Sequence, residues 1–444
     1  MIRRLQSDEA GFAEQLNQLL SVDSTETNRI REVVAGIIAE VKQHGDAAVL
    51  AYTSKFDDLD VSSVSELEVT KDRLQLAFDN IDSLVREALQ VSADRVFAYH
   101  QKQKTALGGG DWTYVDDDGN KLGQLVRGVS RVGIYTPGGK ASYPSTVIMT
   151  AIPARVAGVK EITLLVPTPR GEVNETLFAA AHLVGVDRVY TIGGAQAIAA
   201  LAYGTETIGR VDKIVGPGNI YVATAKQMVF GDVGIDMVAG PSEVVIVADD
   251  TANVDWLVMD MFAQAEHDEM AQAILVSWDD KLLDDVAASL ERRLQGQGLL
   301  EQDKPMPRLD IIRKSIVDRG ALIKVKDVEE AMRIVNIIAP EHLEIALEDP
   351  EPLLQSVQNA GAIFVGNQSA EVVGDYTAGP SHVLPTGGSA RFASPLGVYD
   401  FQVRSSLIHC SAGGAVKLSR DAAILAEEEG LSAHAESAKY RVQG

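Results

Sequence analysis

The chain has 444 residues, 46% hydrophobic and 23% charged, a length too great for one ordinary core and a balance that excludes a disordered or fibrous protein. Forty Lys and Arg against sixty-three Asp and Glu leave a net charge of −23, which repels phosphate backbones and anionic headgroups and argues against nucleic acid or membrane as partner. The sole cysteine, Cys410, excludes an intrachain disulfide; no apolar core follows "MIRRLQSDEAGF" and no run approaches the roughly eighteen apolar residues of a membrane span, so the reading is cytoplasmic.

Taken in chain order, residues 1 to about 105 show helical spacing with acidic outer faces; Ile30, Val33, Val34, Ile37, Ile38 and Val41 fall on one stripe. Turn signals at Gly108 to Gly110 and at Asp118-Gly119, flanked by short strand-like runs, predict a hairpin. From about 128 short apolar runs alternate with helical patterns, "VGIY", "EITLLVP", "RVYTIGG" and "KIVGPG" first, then "EVVIVAD", "AQAILVSWD", "ALIKVKD" and "AIFVG". That alternation predicts parallel strands joined by crossover helices, hence two α/β units. An acidic helix, "RDAAILAEEEGLSAHAESAKY", is expected in the tail.

Two glycine turns stand at strand ends, Gly193-Gly194 before "AQAIAA" and Gly216 and Gly218 in "VGPGN". Glycines there admit a dinucleotide phosphate to the backbone at a helix N-terminus, although neither turn carries GxGxxG and tight turning alone would need them. In "MFAQAEHDEM" Gln264 and His267 stand three apart on an expected helix, a spacing that brings two side chains to one metal and equally suits a cap or a hydrogen-bonded pair. Asp375 and His382 in "GDYTAGPSHVLPTGG", and Glu429 and His434 in the tail, are further candidate ligands of zinc or a neighbouring first-row metal. In "IIAPEHLEIAL" Pro340 suits the first position of a helix, which would put Glu341 and His342 in its first turn, depress His342 toward a neutral base and let Glu341 activate water; ordinary capping is the plainer account. His44, His100, His182 and His409 read as structural.

Together "GIYTPGGKASYPSTVIMTAIPARVAGV", "IGGAQAIAALAYGT", "KIVGPGN", "GPSEVVIVAD", "QAEHDEMAQAILVS", "APEHLEI", "GDYTAGPSHVLPTGGSARFASPL" and "EGLSAH" resemble the histidinol dehydrogenases, in order and over most of the chain from about residue 30. The resemblance implies zinc-dependent, NAD-linked oxidation of L-histidinol through the aldehyde to L-histidine by two sequential hydride transfers. It implies zinc ligands Gln264, His267, Asp375 and His434, substrate contacts from these and from Ser242, His342, Tyr376, His382 and Glu429, and NAD contacts from Tyr135, Gln196 and Asn219. His342 is the implied base and Glu341 the group that activates water. A homodimer with intertwined subunits is implied, the tail completing the neighbour's site. The pattern departs from the family's at Ser369-Ala370, where Thr-Pro is common, and at Ser381, where Asn is.

The expected fold is therefore two incomplete Rossmann-like, doubly wound parallel-sheet units with a helical N-terminal region and a helical tail. The expected division is an arm over 1–25, a first unit of 26–128 with 242–396 carrying most of the metal and catalytic residues, an NAD-binding unit of 129–241, and a tail over 397–444. A dehydrogenase of another small alcohol, such as a sulfonated diol, and a zinc hydrolase that binds no NAD are the competing readings.

Overall fold

The computed structural model describes residues 2–21, 24–138, 143–298 and 306–443. It begins with strand β1 (Arg3–Gln6) and helix α1 (Phe12–Leu20). Four helices follow, α2 (Ser24–His44), α3 (Asp46–Asp57), α4 (Lys71–Asn80) and α5 (Ser83–Ala106), with the short strand β2 (Glu68–Val69) between the second and third of them. The predicted hairpin is present as β3 (Trp112–Val115) and β4 (Lys121–Gly128), paired antiparallel. Asp116 accepts from the backbone of Asp118 and Asn120, the side-chain-to-backbone bonding that makes Asp a turn former.

The strand–helix alternation then runs β5 (Arg131–Tyr135), α6 (Pro144–Ala157), β6 (Glu161–Leu165), α7 (Glu175–Leu183), β7 (Arg188–Tyr190), α8 (Gly194–Tyr203), β8 (Lys213–Val215), α9 (Ile220–Val229) and β9 (Gly234–Ile235). These strands form a sheet in the order β2-β7-β6-β5-β8-β9, parallel except for β2. Val132, Ile134, Ile162 and Leu164 pack on one side with α4 to α7, while Tyr135 and Leu165 pack on the other with α2, α3, α8 and α9. Both faces are covered, as buried parallel strands require.

A second series repeats the plan: β10 (Glu243–Ala248), α10 (Val254–Ala265), β11 (Gln272–Ser277), α11 (Asp280–Leu294), α12 (Leu309–Asp318), β12 (Ala321–Lys324), α13 (Val328–Ile338), β13 (His342–Ala346), β14 (Ala362–Val365) and α14 (Glu371–Tyr376). Its sheet has the order β1-β12-β11-β10-β13-β14. Along β10, Val244, Ile246 and Ala248 face α10, α11 and α12, while Val245 and Val247 face α1 and α13, the period of two that a strand imposes. The chain ends with β15 (Gln402–His409), antiparallel to β4, and helices α15 (Ala412–Glu428) and α16 (Ser432–Gln443).

Three expectations change here. Residues 26–128 were grouped with 242–396, but α2 packs on α8 and α9, α4 on α7 and α5 on α6, so these helices clothe the 129–241 sheet. The arm over 1–25 supplies β1, an edge strand of the other sheet. Within the helical stripe, Val33 is exposed while Ile30, Val34, Ile37, Ile38 and Val41 are buried, since the stripe is wider than the face α8 and α9 can cover. The expected helical tail is present as α15 and α16, with β15 adding an edge to the hairpin before the helices begin.

Candidate active site

Asn253 caps α10 by accepting from the backbone of Asp255 and Trp256, and Leu257, Val258, Met261, Phe262 and Ala265 give the helix its buried face. Gln264 lies in the last turn of that face, 0% exposed. The helix then stops, with Glu266 as its C-cap, so His267 stands on the following turn and not on a shared helical face. Arg308 holds that turn by donating to the carbonyls of Glu266, at 2.7 Å, and His267, at 3.0 Å.

The Pro340 peptide departs further from expectation. Ala339 takes a left-handed conformation, φ 52°, and ends α13; after Pro340 the chain enters β13 rather than a helix. Pro cannot continue α13, and β10 and β14 on either side recruit the segment "HLEIA" into the sheet. His342 therefore does not open a helix. It is fully enclosed, and its Nδ1 lies 3.0 Å from the Glu243 carbonyl, which can only accept, so Nδ1 carries a proton in either charge state and Nε2 is the nitrogen that gains or loses one. That Nε2 is 3.7 Å from Asp375 Oδ1. Burial disfavours the charged ring, but the carboxylates of Glu371, Glu341 and Asp375 outweigh it and hold His342 well above the usual imidazole range, the reverse of the expected depression.

Around this ring lie several acids. Glu341 is buried and accepts from the Glu243 N–H at 2.9 Å; burial pushes its carboxyl up to about 8. Asp375, on α14, would be raised by burial, yet His342, His382 and His267 together pull it below the usual carboxylate range. His382 sends Nδ1 to the Asp375 carbonyl at 2.9 Å and has Thr146 Oγ1 3.2 Å from Nε2; burial holds it below the usual imidazole range. Burial likewise lowers His267, against the pull of Asp375. Ser242 immediately precedes Glu243 at the start of β10, and Tyr376 closes α14 with its ring half exposed.

Some participants were missed in the sequence. Glu371, 1% exposed, receives the Gln264 amide at 2.9 Å once that amide is turned to suit its neighbours. Its backbone N–H donates to Glu344, which with His342 faces α10 from β13. His342, Glu371 and Asp375 each offer a ligand atom within 4.8 Å of the others. The available signals were acids set in apolar runs: Glu243 opening "EVVIVA", Glu344 within "HLEIA" and Glu371 before "VVGDY". Glu429 and His434 stay outside this group; both are exposed, on the α15–α16 hairpin that Lys439 ties together through Glu427. The two departures from the family pattern are accommodated: Ser381 Oγ donates to the Met149 carbonyl at 3.2 Å and Ser369 Oγ to that of Val365 at 2.8 Å.

The other sheet faces this site with its carboxyl edge. Tyr135 ends β5, and its hydroxyl accepts from the Gly194 N–H at 3.2 Å; burial pushes it up to about 12. Gln196 is 0% exposed and neither of its amide atoms has a partner, a state buried amides rarely keep without a ligand or water. Asn219 is exposed at the end of β8 and caps α9 through the backbone of Tyr221 and Val222. Strand order reverses between β5 and β8, where open α/β sheets bind ligands.

The described family of histidinol dehydrogenases matches this sequence over residues 20–442. The chain belongs to that family. It is 56% identical over 441 residues to the histidinol dehydrogenase of Pseudomonas aeruginosa, covering 99% of this chain and 97% of that one, and 55% identical over 440 residues to that of Cupriavidus pinatubonensis, covering 99% and 97%. The crystal structure of histidinol dehydrogenase from Elizabethkingia anophelis superposes with a TM-score of 0.90 at 32% identity, covering 100% of this chain and 98% of that one. Membership makes this chain an oxidoreductase of histidine biosynthesis, and the hydrolase reading falls.

Proposed function

We propose that this chain oxidises L-histidinol through the bound aldehyde to L-histidine, with NAD+ as the acceptor in both oxidations and zinc as the resident metal. The observation that carries the reading is the convergence of Gln264, His267, Asp375, Glu341 and His342 at one sheet edge, facing the crevice that holds the unpartnered Gln196. The residues suit the metal. An amide oxygen, an imidazole and a carboxylate are donors for zinc, and the Gln264 oxygen, accepting one bond from the Glu243 N–H at 3.3 Å, keeps a second lone pair. Buried carboxyls at Glu243, Glu341 and Glu371, all pushed up chiefly by burial, are the surroundings a cation would relieve.

When bound, zinc supplies an anchor for the imidazole and amine of the substrate, and NAD+ supplies the hydride acceptor. The side chains do the rest. His342, its Nδ1–H held by the Glu243 carbonyl, would present Nε2 to take the hydroxyl proton of the alcohol once a bound cation offsets the carboxylates that favour the charged ring. Glu341, once ionised, takes a proton from the water that hydrates the aldehyde; with a carboxyl near 8 it is basic enough for that transfer at neutral to mildly alkaline pH. Thiol attack has no support, because Cys410 is exposed beyond β15.

A homodimer is part of the reading, with Glu429 and His434 of each tail completing the other subunit's site. Its support is that both residues lie outside their own site while Ile408, Leu425 and Tyr440 on the same tail are largely exposed. A cytoplasmic location is in keeping with the single cysteine; no described helix is long and apolar enough to cross a membrane. The test is turnover. With zinc and NAD+ supplied, L-histidinol should give L-histidine and reduced nicotinamide, two equivalents for each substrate consumed; oxidation of another alcohol in its place would refute the substrate assignment.

A further inference from the structure

The turn "GPGN" after β8 closes the nucleotide crevice, and its first residue is held from both sides. Gly216 has φ +109°, and a Cβ there would stand 2.1 Å from the Tyr135 carbonyl oxygen, so the turn rests directly on the end of β5. Its N–H donates to Asp236 Oδ2 at 2.8 Å and its carbonyl accepts from Lys226 Nζ at 2.8 Å. Lys226 and Asp236 meet at 2.5 Å, and their side chains are 2% and 0% exposed. Lys226 projects from α9 and Asp236 follows β9, two elements otherwise packed through Val222, Ala225, Val229 and Val233.

A buried ion pair is a poor way to gain stability, because desolvating both charges offsets their attraction and an apolar pair of similar volume does as well or better. What it gives in return is geometry. Charge-assisted hydrogen bonds fix direction as well as distance, and here they act on the N–H and the carbonyl of one residue. Both peptide planes that flank Gly216 are therefore set, at the point where strand order reverses and a ligand would enter.

We infer that the Lys226–Asp236 pair is a positioning device for the nucleotide turn, holding it ready for NAD+ without touching the dinucleotide. The inference rests on the nucleotide-binding reading above. Its consequence is selective: loss of the pair weakens NAD+ and leaves the metal side intact. In the double variant Lys226→Met/Asp236→Asn no buried charge is left unpaired and an acceptor remains for the Gly216 N–H, but the carbonyl loses its donor. KM for NAD+ should rise about tenfold while kcat at saturating NAD+ stays within about threefold and zinc content and KM for L-histidinol hold.

The variant Lys226→Gln/Asp236→Asn returns an uncharged donor and should bring KM for NAD+ part of the way back. An unchanged KM for NAD+ in the folded Met/Asn variant overturns the inference, and so does a parallel rise in both Michaelis constants, the mark of general loosening. Hydrogen exchange on the unaltered protein is a second check independent of how the variants fold. The Gly216 amide should be protected before NAD+ is added, and exchange at the rate of an open loop there overturns the clamp. If the unaltered protein binds no NAD+ at all, it is the nucleotide reading that fails, not the clamp alone.

Discussion

The two sheets carry the same plan and use opposite edges of it. Counting each unit's parallel strands from its first, β5 or β10, both run 3-2-1-4-5, with a strand from the N-terminal region added beside the third. In the 129–241 unit the candidate nucleotide residues lie at the carboxyl edge, after β5, β7 and β8, as the rule for open α/β sheets anticipates. In the other unit Ser242, Glu243, Glu341 and His342 stand at the amino ends of β10 and β13, while a cavity of about 20 Å³ lined by Ala346, Gly366 and Asn367 lies toward the carboxyl edge. Topology therefore locates a crevice but does not assign it chemistry. The reversal suits the assembly, because Thr146, just beyond the carboxyl edge of one sheet, reaches His382 beside the amino edge of the other.

If the units divide the work in this way, damage to one should leave the other's ligand in place. The largest effect is expected at the chemical step: His342→Ala should lower kcat by about 10² to 10⁴-fold while zinc content and NAD+ affinity persist. Loss of zinc from that variant would move His342 into the metal set, where its proximity to Glu371 and Asp375 would also allow it. Next comes the metal, for which His267→Ala should weaken zinc, measured by competition with a chelator, by about 10-fold to 100-fold or more, with NAD+ binding unaltered. Equal zinc affinity would remove His267 from the site. On the other sheet Gln196→Ala should raise KM for NAD+ by roughly tenfold and leave zinc untouched, and a rise in the Michaelis constant for L-histidinol alone would contradict the crevice assignment.

The smallest effect is thermodynamic and belongs to the metal side. Glu341 and Glu344 are pushed up to about 8, Glu243 to about 7 and Asp260 to about 6, each chiefly by burial. Each binds its proton more tightly folded than unfolded, so the stability it contributes is complete below the usual carboxylate range and is lost as pH rises through 6 to 8. Asp375, shifted downward, acts only below that window, and His267 and His382, shifted downward by burial, oppose the trend only up to the usual imidazole range. Zinc-free protein should melt a few degrees lower at about pH 8.5 than at about pH 5.5, and zinc should flatten the difference. A melting temperature that climbs with pH in the absence of metal would contradict the buried acid cluster.

Much of this was legible beforehand. Alternating short apolar runs and helical patterns announced two α/β units, because strand and helix periods are local properties of the chain. The Gly108–Gly110 and Asp118-Gly119 turns announced the hairpin for the same reason. His342 stands beside Asp375 but in a strand and not in the expected helix, since the proline that suits a helix start also suits the entry to a strand when neighbours stand ready to pair with it. Gln264 and His267 reach one place from a helix end and the turn beyond it, an arrangement that spacing alone does not distinguish from a continuous helix.

By itself, then, the amino-acid sequence determined most of the element types, the two-unit plan and the family, since each is written in residues near one another along the chain or in motifs that keep their order. Tertiary structure alone decided which sheet the N-terminal helices cover, that Glu341 and His342 come to the amino edge of theirs, and that Glu243, Glu344 and Glu371 surround His342. Those outcomes depend on contacts between segments distant along the chain, Glu243 and Glu341 being 98 positions apart, and on burial, which turns an ordinary acid into one that holds its proton near neutral pH.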